Sequence, residues 1–300
     1  FGGASSLIKK RRYMKVGDLE AEIVSDFDFS FTERIGLVFG AFKSSLKTVI
    51  DFNKDYVGQR SVSLGIAFPY EDPKTTMQKG CKHWAEYLQA NPTKITKLRM
   101  PGYSQELIDS LANQPQIEEI EIYYGKNNFK DLTALGKLPN LRKLAIENFP
   151  VEASLEGLAH SNSLKILHVF SRKSINFQPL AKMTMLDELE IGTGVDPAFM
   201  GTVKTEDFKF LKPLKNLKRI HIYAVIPEDK DLTVLAQLTN LEKGWYYIFR
   251  GQTPSVKELA ELNPVFSDVY QTYVKHKQID SKNVYYYSKW KFFGRDRKST

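Results

Sequence analysis

The sequence predicts an α/β fold in which short strands and helical returns stack as a solenoid behind a separate N-terminal α/β segment. Three observations carry this. A six-residue pattern, apolar-x-x-apolar-x-apolar, recurs as Ile95/Leu98/Met100, Ile117/Ile120/Ile122, Leu141/Leu144/Ile146, Leu164/Leu167/Val169, Leu186/Leu189/Ile191 and Leu217/Ile220/Ile222. Its first positions lie 22, 24, 23, 22 and 31 residues apart, and a degraded seventh copy starts 24 residues further on, at Leu241. Residues 1–93 show no such period. Regular self-similarity of this length marks a repeat array, in which each unit buries its apolar edge only against its neighbours.

Taken from the N-terminus, Asp26-Phe-Asp-Phe-Ser-Phe31 alternates as a strand does. Ser30 and Glu33 then form a capping-box pair ahead of Ile35, Val38, Phe39, Phe42, Leu46 and Val49 at helical spacing. Val62, Leu64, Ile66 and Phe68 share one face of a second strand, and Met77, Cys81, Trp84 and Leu88 mark a helix that Asn91-Pro92 stops. Residues 1–93 therefore read as an N-terminal α/β cap domain that covers the first repeat. Residues 94–265 form the array. Alternation in the first half of each unit gives a strand. Apolar residues three apart in the second half, such as Leu132/Leu135/Leu138 and Leu232/Leu235/Leu238, give a short helix or 3₁₀ turn. Val256, Leu259, Leu262 and Val265 continue that helical half. Residues 266–300 read as a C-terminal aromatic and basic cap segment, because Asn283–Phe293 is dense in Tyr, Trp and Phe and a strand of that composition left unpaired invites aggregation.

Stretches such as Leu138-Pro-Asn-Leu141-Arg-Lys-Leu144-Ala-Ile146 and Leu238-Thr-Asn-Leu241-Glu-Lys resemble leucine-rich repeats of the roughly 22-residue class found in bacterial internalin-like proteins. The resemblance covers about residues 95 to 265. It implies a curved parallel sheet on the concave side of a solenoid and a role in binding other macromolecules. One departure stands out. The asparagine that such repeats carry eight residues after the first leucine would fall at Gly125, Phe149, Arg172, Gly194 and Val225, and none is Asn. Another device must satisfy the backbone inside those turns, so an irregular arc is expected.

Composition narrows the class further. With 300 residues, 42% of them hydrophobic and 26% charged, the chain can bury a substantial core and is neither collagen-like nor disordered. The net charge of +8 is uneven. Residues 1–20 hold five Lys/Arg against two acids and residues 273–300 hold eight against two, which leaves the remainder near −1. A nucleic-acid groove on the array would need its charge on the body of the fold. Contact with nucleic acid or an anionic surface is therefore confined to the basic termini, where Lys9-Lys-Arg-Arg12 is the one cluster, and a solvated tail is the simpler reading. Cys81 is the only cysteine, which rules out an intrachain disulfide and zinc sites built on cysteine pairs. The longest apolar run, Ile35–Phe42, is far below the roughly 20 residues of a membrane span.

If the apolar triplets point into the solenoid, the interleaved residues line up in columns across the strands. One column reads Lys97, Glu119, Lys143, Ile166, Glu188, Arg219, Lys243, and the next reads Arg99, Glu121, Ala145, His168, Glu190, His221, Trp245. Every Glu then has a basic or titratable neighbour, so cross-strand ion pairing is expected. The acid pairs Glu119/Glu121 and Glu188/Glu190 suggest general acid and base, but catalysis needs one carboxyl with a raised pKa, and adjacent cations hold both ionised. His168, Glu190 and His221 suggest three metal ligands. The two imidazoles, however, lie two strands or roughly 9.6 Å apart, which favours a hydrogen-bonded ladder. No metal and no cofactor is assigned. Gly192-Thr-Gly194 is too little for a phosphate loop, and no nucleophile elbow, His-Glu-x-x-His or Walker motif is present.

Tyr123, Phe170, Tyr223 and Tyr247 take the next outward position, with Trp245 beside the last. Aromatic residues dominate binding hot spots, because they desolvate a large area at little rotamer cost. The alternative is that loops or the C-terminal segment cover them. The 31-residue unit places an insertion between Gly192 and Phe208, expected to project as a loop beside this surface. The chain is read as a non-enzymatic interaction module that takes a protein partner on its concave face through Tyr123, Phe170, His168, Glu190, His221, Tyr223, Trp245 and Tyr247. The competing reading is a hydrolase-like enzyme sited in the N-terminal domain, with the repeats selecting its substrate.

Overall fold

The computed structural model describes residues 12–16, 19–23, 58, 60–64, 73–123, 127–193 and 202–279. The expected strand at Asp26–Phe31, the helix after it and the aromatic stretch Asn283–Phe293 lie outside the described residues. Strands β1 (Arg12–Val16) and β2 (Leu19–Ile23) pair antiparallel as a hairpin. A sheet of eight parallel strands follows, in the order β3 (Ser61–Ser63), β4 (Lys97–Pro101), β5 (Glu119–Tyr123), β6 (Lys143–Ile146), β7 (Ile166–Phe170), β8 (Glu188–Gly192), β10 (Arg219–Tyr223) and β12 (Lys243–Tyr246). Between these last strands, β9 (Val203–Thr205) and β11 (Val225–Pro227) form a separate parallel pair. Two compact units divide the chain, residues 1–167 and residues 168–300.

In the first unit the sheet starts one strand before the first sequence repeat. Ser61, Val62 and Ser63 lie opposite Lys97, Leu98 and Arg99. The helix Pro73–Ala90 that returns the chain buries Cys81, Trp84, Ala85 and Leu88, at the spacing that the sequence shows. The sheet is thus one strand longer at this end than the sequence repeats. The apolar triplets of β4 to β8 and of β10 are all buried, and the returns bury theirs, as with Leu132, Leu135 and Leu138. Gln114, itself fully buried, ties the entry together: its amide donates to the Leu88 carbonyl at 2.6 Å and to the Asn91 carbonyl at 2.8 Å, and its oxygen accepts from the Thr93 hydroxyl at 2.7 Å.

The missing asparagine ladder is replaced by two devices. Asn127 accepts from the Gly102 N–H at 3.0 Å and donates to the Glu147 carbonyl at 2.5 Å, so one side chain bonds the turns before and after its own. Residues just before each strand do the same at the other end. Asn140 donates to the Pro115 carbonyl and Ser163 to the Leu138 carbonyl, both at 2.9 Å. In the second unit Asn216 donates to the Thr184 carbonyl at 2.8 Å and Asn240 to the Lys215 carbonyl at 2.7 Å. Phe149, at one of the five departing positions, is buried edge-on against Phe129 with ring centroids 5.7 Å apart. Asn127→Ala orphans a donor and an acceptor in part-buried turns and should cost about 1 to 2 kcal/mol. Asn140→Ala, at an exposed turn, should cost less than about 1 kcal/mol. Urea unfolding of the two variants checks the ranking.

In the second unit the insertion is not a projecting loop along its whole length. Its described end forms β9, with Val203 opposite Val225 and Thr205 opposite Pro227. The departure at Val225 thereby becomes a second strand pair, and residues 194–201 lie outside the described residues. The degraded last repeat also has a physical account. Its pattern runs Leu241, Gly244, Tyr246, so the middle apolar residue is missing. A Cβ at Gly244 would stand 2.5 Å from Cε1 of Phe266, whose ring fills that place and meets Tyr246 edge-on at 5.6 Å. Phe266 is held there by the helix Val256–Leu262, which starts at a capping box between Ser255 and Glu258 and buries Val256 and Leu259. Leu262, expected on that buried stripe, is exposed, because the helix ends there and Asn263 turns the chain into the Phe266 segment. Asn263 donates to the Leu235 and Leu238 carbonyls at 3.1 and 3.2 Å, closing the last helical return.

Candidate functional site

The open face of the sheet carries the residues interleaved between the buried triplets, and the register sets the expected columns. In the first unit Lys97 lies opposite Glu119, Glu119 opposite Lys143, and Arg99 opposite Glu121. Lys97 Nζ reaches Glu119 at 3.0 Å, and Arg99 Nε donates to Glu121 at 3.2 Å. Tyr123 is half-buried; its hydroxyl donates to the Leu64 carbonyl at 3.0 Å and its ring lies 5.0 Å from the Arg99 guanidinium carbon. The acid pair Glu119/Glu121 is thus fully engaged by bases.

In the second unit Arg219 lies opposite both Glu188 and Lys243, and His221 opposite both Glu190 and Trp245. A single chain of contacts results. Arg219 Nε donates to Glu188, and Glu188 accepts from His168 Nε2 at 2.7 Å. The other His168 nitrogen lies 3.5 Å from Glu190, and Glu190 in turn faces His221 Nδ1 at 3.3 Å. An ionised carboxylate only accepts hydrogen bonds, so His168 Nε2 donates to Glu188 while the other ring nitrogen faces Glu190. Burial would raise the Glu188 pKa, but the hydrogen bond and charge of His168, with those of Arg219, outweigh it and hold the group at about 2 against an ordinary 4.5. Glu188 is therefore a fixed anion at neutral pH. Among the described residues no group of three His, Cys, Asp or Glu is placed to hold a metal ion.

The aromatic positions do not share one exposure. Phe170, Tyr223 and Tyr247, expected to face a partner, are buried to 2%, 3% and 2%. His168 and Glu190 are buried as well. For Tyr223 the reason lies at Gly192, which pairs with it. A Cβ there would stand 2.7 Å from the Tyr223 Cβ, so the absent side chain leaves room for the tyrosine to settle onto the neighbouring strand. Tyr223, Ala224 and Tyr247 then form a small buried cluster with Trp245 and Ile226 packed on it. Trp245 and His221 remain partly exposed; their rings meet edge-on at 4.7 Å, and Trp245 lies 5.9 Å from Tyr223. The structure thus brings His168, Glu190, His221, Tyr223, Trp245 and Tyr247 together in residues 168–300 and leaves His221 and Trp245 accessible. Glu188, Arg219 and Lys243 join them; all three stood in the columns, but were not singled out as binding residues.

No protein-family profile and no curated protein matches the chain. Among solved structures it is similar to an internalin from Listeria monocytogenes, at 18% identity over 61% of this chain and 47% of that one, with a TM-score of 0.41. It is similar to internalin C2 of the same organism at 24% identity over 51% and 62%, with a TM-score of 0.37. A leucine-rich repeat protein from Leptospira interrogans matches at 16% identity over 60% and 50%, with a TM-score of 0.36. The chain spans between 47% and 62% of the length of these proteins. Eight parallel strands joined by short helical returns, with the period read from the sequence, are the solenoid of leucine-rich repeats that the sequence resembles.

Proposed function

We propose that the chain is a non-enzymatic binding module that takes a protein partner on the open sheet face of residues 168–300, centred on His221 and Trp245. The observation that carries this reading is a partly exposed tryptophan held from two sides, by the His221 ring at 4.7 Å and by buried Tyr223 at 5.9 Å. An aromatic side chain fixed before contact loses little rotamer entropy on binding, and such anchors dominate interface energetics. Phe170, Tyr223, Tyr247, His168 and Glu190 act in this reading as the supporting floor rather than as contacts. A depressed Glu188 pKa supports a non-catalytic role, since general acid–base work needs a group that exchanges its proton near working pH.

A quantitative pull-down with the wild type and with the Trp245→Ala/His221→Ala double variant tests the reading. Recovery of partners should fall by about tenfold or more, the loss expected on truncating a hot spot. Equal recovery by a double variant that unfolds at the same urea concentration as the wild type would overturn it.

A further inference from the structure

We infer that the β10–β12 part of this face takes a carboxylate-rich segment of a protein partner; the inference rests on the binding reading above and adds the partner's chemistry. The acids of this part of the face are withdrawn and already have partners. Glu188 accepts from His168 and Arg219, and Glu190 lies between His168 and His221. Their side chains are only 22% and 10% exposed. The bases reach outward instead. Arg219 is 45% exposed, His221 32%, and Lys243 is exposed with no ion pair among the described residues.

Arg219 and Trp245 also keep donors to spare. Arg219 commits Nε to Glu188 and retains its terminal nitrogens, since a guanidinium carries five N–H donors. His221 turns Nδ1 to Glu190 at 3.3 Å and is counted with neither the cations nor the spare donors. The Trp245 indole N–H bonds to none of the described residues, and an indole N–H can only donate. Because Arg219 lies opposite Lys243 and His221 opposite Trp245, the four side chains stand at the corners of a patch roughly 5 Å across the strands and 7 Å along them. Two cations and the indole donor at that spacing match the acceptor-only oxygens of Asp and Glu side chains. A lysine- or arginine-rich segment would set donor against donor and cation against cation. Nucleic-acid tracking typically engages about six to ten phosphates, more than two fixed cations can neutralise.

The test uses the full chain and three probes: a random glutamate–tyrosine copolymer, a lysine–tyrosine copolymer, and an oligothymidylate of matched charge, each at about 0.1 M salt so that surface charge is still felt. Lys243→Glu is compared with Lys137→Glu, an exposed position in the other unit that makes the same change in net charge. The expected result is that the wild type prefers the glutamate–tyrosine copolymer and that Lys243→Glu weakens this binding by about tenfold, while Lys137→Glu changes it by less than about twofold. Equal weakening by both variants assigns the contact to net charge or to the basic termini and overturns the inference. Tighter binding of the oligothymidylate, with the same sensitivity to Lys243→Glu, overturns it in favour of nucleic acid. If Trp245→Ala reduces binding of the lysine–tyrosine copolymer while Lys243→Glu leaves the glutamate–tyrosine copolymer unaffected, the face still binds and the preference for acids falls. If neither variant alters either polymer, the binding face falls with it.

Discussion

His168→Leu is expected to cost about 3 kcal/mol of folding stability, the loss that follows when one member of a buried charged network is removed. His168 lies between Glu188 at 2.7 Å and Glu190 at 3.5 Å and is itself buried. An apolar replacement takes the His168 contact from both Glu188 and Glu190 and leaves Glu188, partly desolvated, with Arg219. The pH dependence follows from Glu188. Its pKa lies at about 2 in the folded chain against an ordinary 4.5. A lowered folded pKa means that the stabilisation is fully present above about pH 4.5 and is lost as pH falls toward 2. The gap between wild type and His168→Leu should therefore be wide near neutral pH and shrink across that acid range. Guanidinium unfolding at several pH values reads both effects. A variant within about 0.5 kcal/mol of wild type at neutral pH would show that the network does not hold this face together.

Phe266→Ala should cost about 3 to 5 kcal/mol, the usual range for removing a buried phenylalanine. Its ring supplies the apolar volume that Gly244 lacks, and among the described residues no strand of the sheet follows β12. Gly244→Leu restores the repeat pattern, yet in the native chain its side chain collides with Phe266, so it should destabilise by about 1 to 3 kcal/mol. In a Phe266→Ala background the same leucine should be stabilising, because it fills the space the ring has left. A double-mutant cycle on urea unfolding measures the coupling. Additive effects would mean that Phe266 does not occupy the missing leucine's place.

The repeat made the sheet legible in the sequence, because every triplet position must be apolar for the strand to pack on its neighbours and the period is therefore written in each unit. The cross-strand pairs were legible for the same reason: once Lys97, Glu119 and Lys143 are equivalent positions, a parallel register puts them side by side. Three features were not. The strand at Val62 shows in the alternation, but its place in the repeat sheet does not, because β3 pairs through three residues, too few to carry the period. Phe266 completes a repeat from outside the repeat, which no local pattern can announce. The exposure of the aromatic column depends on which neighbour is small. Tyr223 is buried because its partner on β8 is Gly192, a relation that appears only when the two strands are aligned and read across. The asparagines at 140, 216 and 240 did carry a signal, since each precedes the first leucine of its unit.

Hydrogen–deuterium exchange of the full chain, free and saturated with the partner it captures, tests the binding face most directly. The account predicts slowed exchange concentrated in Arg219–Tyr223 and Lys243–Tyr246. Protection confined to the helices after Ser255 or to the two basic ends, with these strands unchanged, would contradict it.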